Sequence, residues 1–151
     1  MLLSFQISLL IKEVVVFKVD HRIESSSIFL GQDRLSNVYL KNTQEFPWIV
    51  LVPRVEQIQE IDELSEIQQN LLMQEISYWS GCLKKQFQPK KLNIGALGNI
   101  VSQLHIHIVA RFEHDILWPH GIWQAALETT PYNDMALQNI LEAFSSFKNQ
   151  R

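Results

Sequence analysis

The sequence predicts an α+β domain: an antiparallel sheet of about five strands, one long helix packed on it, and a second helix at the C-terminus. Three observations predict it. Short apolar runs come in pairs joined by polar turns, the usual way antiparallel strands are connected. Between Leu64 and Phe87, apolar residues fall at Leu64, Ile67, Leu71, Leu72, Ile76, Trp79 and Leu83, close to the helical period of 3.6. In the segment Gln103–Arg111, polar and apolar residues alternate from Gln103 to Ile108, the period of a strand with two different faces.

Bulk properties narrow the function. The chain has 151 residues, of which 46% are hydrophobic and 19% charged, a balance that supports one packed core and argues against disorder. A net charge of −3 gives no chain-wide attraction to nucleic acid, so no nucleic-acid partner is expected and any anion must be held locally. Cys82 is the only cysteine, which excludes an intrachain disulfide and a four-cysteine zinc site and fits a cytoplasmic protein. Residues 1–16 are rich in Leu, Ile and Val but are interrupted by Lys12 and Glu13. They lack a basic start and a small-residue cleavage site and are too short to span a bilayer. They read as an N-terminal extension, with a signal peptide the disfavoured alternative, and residues 17–151 as a single domain. No membrane association is expected.

The elements follow in order. Phe17 to Arg22 is extended, followed by a serine step at Ser25–Ser27. Ile28–Leu30 and Leu35–Leu40 flank Gly31-Gln32-Asp33-Arg34, whose turn chemistry makes the pair a hairpin. Asn42–Glu45 is a second polar turn. Trp48–Val52 is an uninterrupted apolar strand closed by Pro53, and such continuity implies cover on both faces. The long helix ends before Pro89. Leu92–Leu97 and Leu104–Arg111 are two strands joined through Gly98–Ser102, and the terminal helix runs from about Asn133 to Lys148. The acidic stretch Glu56, Glu60, Asp62, Glu63 and Glu66 suits the positive end of the long helix as a solvated face. Cys82 reads as a packed thiol.

The penultimate segment carries the chemistry. Alternate residues of a strand lie roughly 6.6–6.8 Å apart, so Gln103, His105 and His107 form a short row on one surface. A neutral imidazole is a competent nucleophile at pH 7. Two of them and an amide can attack, orient and protonate one small substrate.

These residues resemble the histidine triad nucleotide hydrolases and transferases, whose His-x-His-x-His sits on the last strand of an antiparallel sheet. Gln103-x-His105-x-His107 stands for that motif. Gly98-Asn99-Ile100-Val101 is similar to the family's Gly-Gln-Ser/Thr-Val, and Ile49–Arg54 to its apolar strand ending in Pro-Lys/Arg, with the amphipathic helix between. Arg111 matches the arginine after the triad. The tail Asp115…Trp118-Pro119…Trp123 resembles a bacterial branch with Gln at the first triad position. The resemblance spans about Phe17 to Arg111.

The resemblance implies that His105 attacks the α-phosphorus of a nucleotide, giving a covalent nucleotidyl-histidine. His107 would assist the phosphoryl oxygens or the leaving group, and Gln103 would orient and could donate an amide N–H. Gly98 allows close approach of an anion to backbone, and the N–H groups of Ile100 and Val101, with the Asn99 side chain, are the expected phosphate cradle. Asn42, or else Asp33, would hold the ribose. Substrates implied are purine nucleoside phosphoramidates, nucleotide conjugates or dinucleoside polyphosphates, handled by a homodimer without metal or redox cofactor.

Three departures keep a second reading open. Gln103 replaces the first triad histidine, Ile100 removes a hydroxyl donor, and Trp48 stands where the family has another histidine. A non-catalytic nucleotide-binding or regulatory protein of the same fold is therefore the alternative. A third reading has His105 and His107 joining His114 or His120 around zinc, though no acidic or cysteine partner sits at characteristic spacing. Arg111 reads either as a phosphate-steering group or as an exposed strand-end residue. Trp118 and Trp123 read as core packing, or as a cap on a base or a dimer contact.

Overall fold

The computed structural model describes residues 16–123 and 127–148. The expected N-terminal extension therefore lies, apart from Val16, outside the described residues. Along the chain run α1 (His21–Glu24), β1 (Ser27–Gln32), β2 (Ser36–Lys41), β3 (Trp48–Pro53), α2 (Glu66–Phe87), β4 (Lys91–Gly95), β5 (Ile106–Arg111) and α3 (Asp134–Lys148). The strands form one sheet in the order β1-β2-β3-β5-β4, with every neighbour antiparallel. This is the α+β arrangement the sequence implies.

The β1–β2 hairpin forms as expected, with a bulge between Phe29 and Gly31. Gly31 there adopts φ 146°, a backbone conformation L side chains rarely take. All six residues of β3 are buried, because both faces of this central strand are covered. Ile49 and Leu51 pack with Ile106, Ile108 and Ala110 beneath the helices, and Trp48, Val50 and Val52 pack with Val109 on the other side.

Helix α2 starts where a capping box starts it: Ser65 Oγ accepts from Gln68 N at 3.3 Å and Gln68 Oε1 from Ser65 N at 2.9 Å. It stops at Gln88, in the left-handed region with φ 49°, after which Pro89 cannot continue the ladder. Its buried stripe is Leu72, Ile76, Trp79 and Leu83. Ile67 is not part of it and is 74% exposed, since packing begins only a turn later at Leu71 and Leu72. Glu75 belongs to the buried face and accepts the N–H groups of Leu35 and Ser36 at 2.6 and 3.2 Å, pinning the β2 start to the helix. Helix α3 joins the same layer through Ile140 and Phe144, its start capped by Asn133 Oδ1 on Ala136 N.

Several boundaries differ from the sequence expectation: β4 ends at Gly95 rather than Leu97, α2 begins at Glu66 rather than Leu64, and β1 extends through Gly31 and Gln32. Phe17–Arg22 is not extended throughout: Asp20 caps a single helical turn, accepting Arg22 N at 2.9 Å. Strand β5 begins at Ile106 rather than Leu104, because the N–H of Leu104 goes to Ile58 O, outside the sheet. Beyond the helix layer, the opposite sheet face carries a second apolar cluster of Ile23, Tyr39, Phe46, Trp48, Val50, Val52, Val101, Val109 and Ile122. The histidines stand on this side.

Candidate active site

Strand alternation sends Ile106, Ile108 and Ala110 into the helix layer, and so His107 and Val109 to the opposite face. His105 immediately precedes the strand, its ring centroid 4.7 Å from that of His107 and edge-on to it at 80°. His105 is 8% exposed, and its Nδ1 lies 2.7 Å from the carbonyl oxygen of Gln103. A carbonyl only accepts, so Nδ1 carries the proton and Nε2 keeps the lone pair.

His107 takes the other tautomer. The indole N–H of Trp48 donates to His107 Nδ1 at 3.0 Å, leaving the ring proton on Nε2. Burial, with electrostatic coupling to the adjacent His105 ring and the positive charge of Lys41, pushes the His107 pKa down to about 3. The ring is therefore neutral at physiological pH. Trp48 meets it edge-on at 5.3 Å and Trp123 leans on it at 5.8 Å. Side by side stand one imidazole with a free Nε2 lone pair and one with an Nε2–H.

Gln103 is engaged by the backbone of the segment before α1. Its Oε1 accepts from Asp20 N at 2.8 Å and its Nε2 donates to Lys18 O at 2.9 Å, so the amide clasps the chain there. Gly98 has φ +69°, which favours glycine. Asn99 and Ile100 are exposed, Val101 is buried in the second cluster, and Ile100 O accepts from Arg22 Nη1 at 2.9 Å. Among the described residues, nothing accepts from the backbone N–H of Ile100 or Val101.

Residues 22–114 match the HIT domain family. The chain belongs to the HIT family. It is similar to a histidine triad protein of Bradyrhizobium japonicum at 38% identity, covering 86% of this chain and 96% of that one, with a TM-score of 0.83. The corresponding figures for a Sinorhizobium meliloti histidine triad protein are 35%, 86%, 96% and 0.82. A histidine triad protein of Marinobacter aquaeolei gives 35%, 89%, 97% and 0.85. No curated protein is matched.

On this HIT sheet, Lys41 of β2 joins the histidine face, a residue the sequence did not single out. Its Nζ donates to Ser26 Oγ at 2.7 Å and lies 5.8 Å from the Trp48 ring centroid, and burial lowers its pKa. Asn42, next along, uses its Oδ1 to accept Tyr132 N at 3.0 Å and so ties down the C-terminal segment. Asp33 turns toward the helix layer, where Trp79 Nε1 donates to it at 3.1 Å, so it is not brought to the histidines.

Arg111 is not an exposed strand-end residue; it is 1% exposed. Its Nε and Nη2 donate to Asp115 at 2.8 and 2.9 Å, its Nη1 to Asn93 Oδ1 at 2.6 Å, and Phe46 and Trp118 lie against the guanidinium. That burial and pairing make it a structural anchor of the loop after β5. His114 and His120 are exposed, and no group of three or more His, Cys, Asp or Glu among the described residues is placed to hold a metal. The zinc reading thus has no ligand set there.

Trp48 was legible as a lost histidine but not as the partner of His107. Its place on the same face followed from alternation along β3; its proximity depended on the β3–β5 register, Trp48 opposite Val109 and Val50 opposite His107. The indole N–H of Trp123 is buried with no partner among the described residues, another donor beside His107.

Proposed function

We propose that this HIT protein is a nucleotide hydrolase or nucleotidyl transferase acting at an α-phosphate through a covalent intermediate on His105. One observation carries the reading: the adjacent imidazoles are held in complementary tautomers, a lone pair on His105 Nε2 and a proton on His107 Nε2. His105 Nε2 attacks phosphorus, the P–N bond forms, and the bond to the leaving group breaks with its electron pair departing on that group. The resulting His105 is cationic, and its Nδ1–H bond to Gln103 O strengthens as the charge develops. His107 donates from Nε2 to a phosphoryl oxygen or to the leaving atom. Water or another acceptor then attacks phosphorus, the P–N bond breaks with its electron pair returning to His105 Nε2, and the proton that the acceptor loses balances the one taken up by the released leaving group.

The N–H groups of Ile100 and Val101, with Asn99, cradle the phosphate beyond Gly98. Lys41 offsets its charge, and Asn42 reaches a ribose hydroxyl through its Nδ2. The substrate class, purine nucleoside phosphoramidates, nucleotide conjugates or dinucleoside polyphosphates, and a place in the Gln-bearing bacterial branch come from the family resemblance. Among the described residues no strand pairs with the outer edge of β4, and Ile94 and Leu97 are exposed at and just beyond it, which supports a homodimer formed there. Cytoplasmic residence fits the lone buried thiol of Cys82.

A second reading, a nucleotide binder without turnover, is favoured by the clasped amide of Gln103 and by a His107 that stays neutral at physiological pH and so cannot act as an imidazolium acid. Steady-state assay against an adenosine phosphoramidate separates the two. Release of AMP by the wild-type chain and its loss in His105→Ala is the expected result; tight AMP binding without turnover supports the binder.

A further inference from the structure

We infer that Gln103 is a positioning residue through which the segment Lys18–Arg22 holds the His105 imidazole in its nucleophilic tautomer. The inference rests on the reaction proposed at His105. An amide presents a donor and an acceptor side by side in one plane, and the strap offers a carbonyl at Lys18 and an N–H at Asp20, two residues apart. Gln103 fills both, at 2.9 and 2.8 Å. A carboxylate at 103 has two acceptors and would repel Lys18 O, and an alkyl side chain would leave both strap groups open.

The strap is itself anchored. Asp20 caps α1 and takes the Arg22 guanidinium at 2.9 and 2.7 Å, and Arg22 also reaches Ile100 O. Phe17 and Val19 pack against the second apolar cluster. Gln103 is thus clasped to a fixed object through its side chain, and one residue on, the Leu104 N–H is held by Ile58 O at 2.9 Å. Between these two fixings lies the Gln103 carbonyl, which takes the His105 Nδ1–H at 2.7 Å. The direction of that carbonyl chooses which nitrogen of His105 carries the lone pair. The same strap, through Arg22, also ties down the loop after Gly98. Replacing the first triad histidine by glutamine here serves to build this clasp.

The test is a double-mutant cycle read by two measurements, the rate of His105 nucleotidylation in a single turnover and the His105 tautomer from long-range ¹H–¹⁵N spectra. Gln103→Leu removes both bonds of the clasp. Asp20→Pro removes the Asp20 N–H bond and suits the backbone there, since Asp20 has φ −58°, and Asp20→Ala, which keeps the N–H but loses the carboxylate, controls for the cap and the Arg22 contact. Asp20→Asn keeps the N–H and the cap.

Misplacing a reacting group by about 1 Å can cost about 10²-fold. Gln103→Leu and Asp20→Pro should each slow nucleotidylation by about 10–100-fold at unchanged KM, with Nε2–H His105 becoming visible. The double variant should be no slower than the worse single one, and Asp20→Asn should slow the step far less than Asp20→Pro. A wild-type rate and an unchanged tautomer in both clasp variants would overturn the inference, as would additive losses. If the wild-type chain forms no adduct, the reaction proposal fails, while the tautomer spectra still decide whether the clasp sets the ring.

Discussion

The indole N–H of Trp48 reaches Nδ1 of His107 across 3.0 Å, so a residue of β3 fixes the tautomer of a histidine on β5. Trp48→Phe keeps an aromatic ring against His107 but removes the donor. Both His107 tautomers then become accessible, and the fraction with Nε2–H falls. Oxyanion-type donors are worth about 10²–10³ in kcat, so turnover is expected to drop by up to that factor with the melting temperature little changed. Retained kcat in Trp48→Phe would show that the tautomer of His107 is immaterial.

The pKa of His107, about 3, has a definite sign in the pH dependence. The folded ring resists protonation, whereas the unfolded ring protonates near 6.5. Its contribution to acid lability is absent above about pH 6.5 and grows as pH falls toward 3, because protons favour the unfolded chain. In ¹H–¹⁵N spectra the His107 imidazole is expected to stay neutral down to about pH 5. A midpoint near the ordinary histidine value would contradict the burial argued for it.

Lys41 places a cation on the histidine face, partnered by Ser26 Oγ. A charged hydrogen bond contributes about 1.5–3 kcal/mol, so Lys41→Met should weaken AMP binding by about tenfold or more. Calorimetry at low and high salt checks this, the loss being greater at low salt. The same change removes a positive neighbour and should raise the His107 pKa. Unaltered affinity would remove Lys41 from the site.

Arg111 and Asp115 form a buried pair, and breaking one by removing a single partner typically costs about 3–5 kcal/mol. Arg111→Ala and Asp115→Ala should each destabilise by about that amount in urea unfolding. Burial alone would raise the Asp115 pKa, but hydrogen bonds from Arg111 and from the N–H groups of Phe112 and Leu117 outweigh it and hold it at about 2. This contribution is complete above the unfolded value of 3.8 and is lost as pH falls through about 2. An Asp115→Ala chain whose stability is unchanged would contradict the pairing.

Much of the fold was legible because its signals are local. The stripe from Leu72 to Leu83, the helix stop before Pro89 and the apolar run of β3 each report their own element. The histidine row was legible for the same reason. What escaped depends on distant partners: Gln103 meets Lys18 and Asp20 more than eighty positions away, and Trp48 meets His107 only through the β3–β5 register. Arg111 looked exposed because nothing local signals that Asn93 and Phe46 enclose it. Lys41 was passed over because a lone lysine at a strand end ordinarily points to water.

The most direct measurement is to mix the chain with an adenosine phosphoramidate, stop the reaction in alkali, which preserves a P–N bond, and locate added mass by peptide mass spectrometry. One adenylyl group on His105, absent from the His105→Ala chain, is the expected result. An adduct on another residue, or full turnover by His105→Ala, would contradict nucleophilic attack by this imidazole.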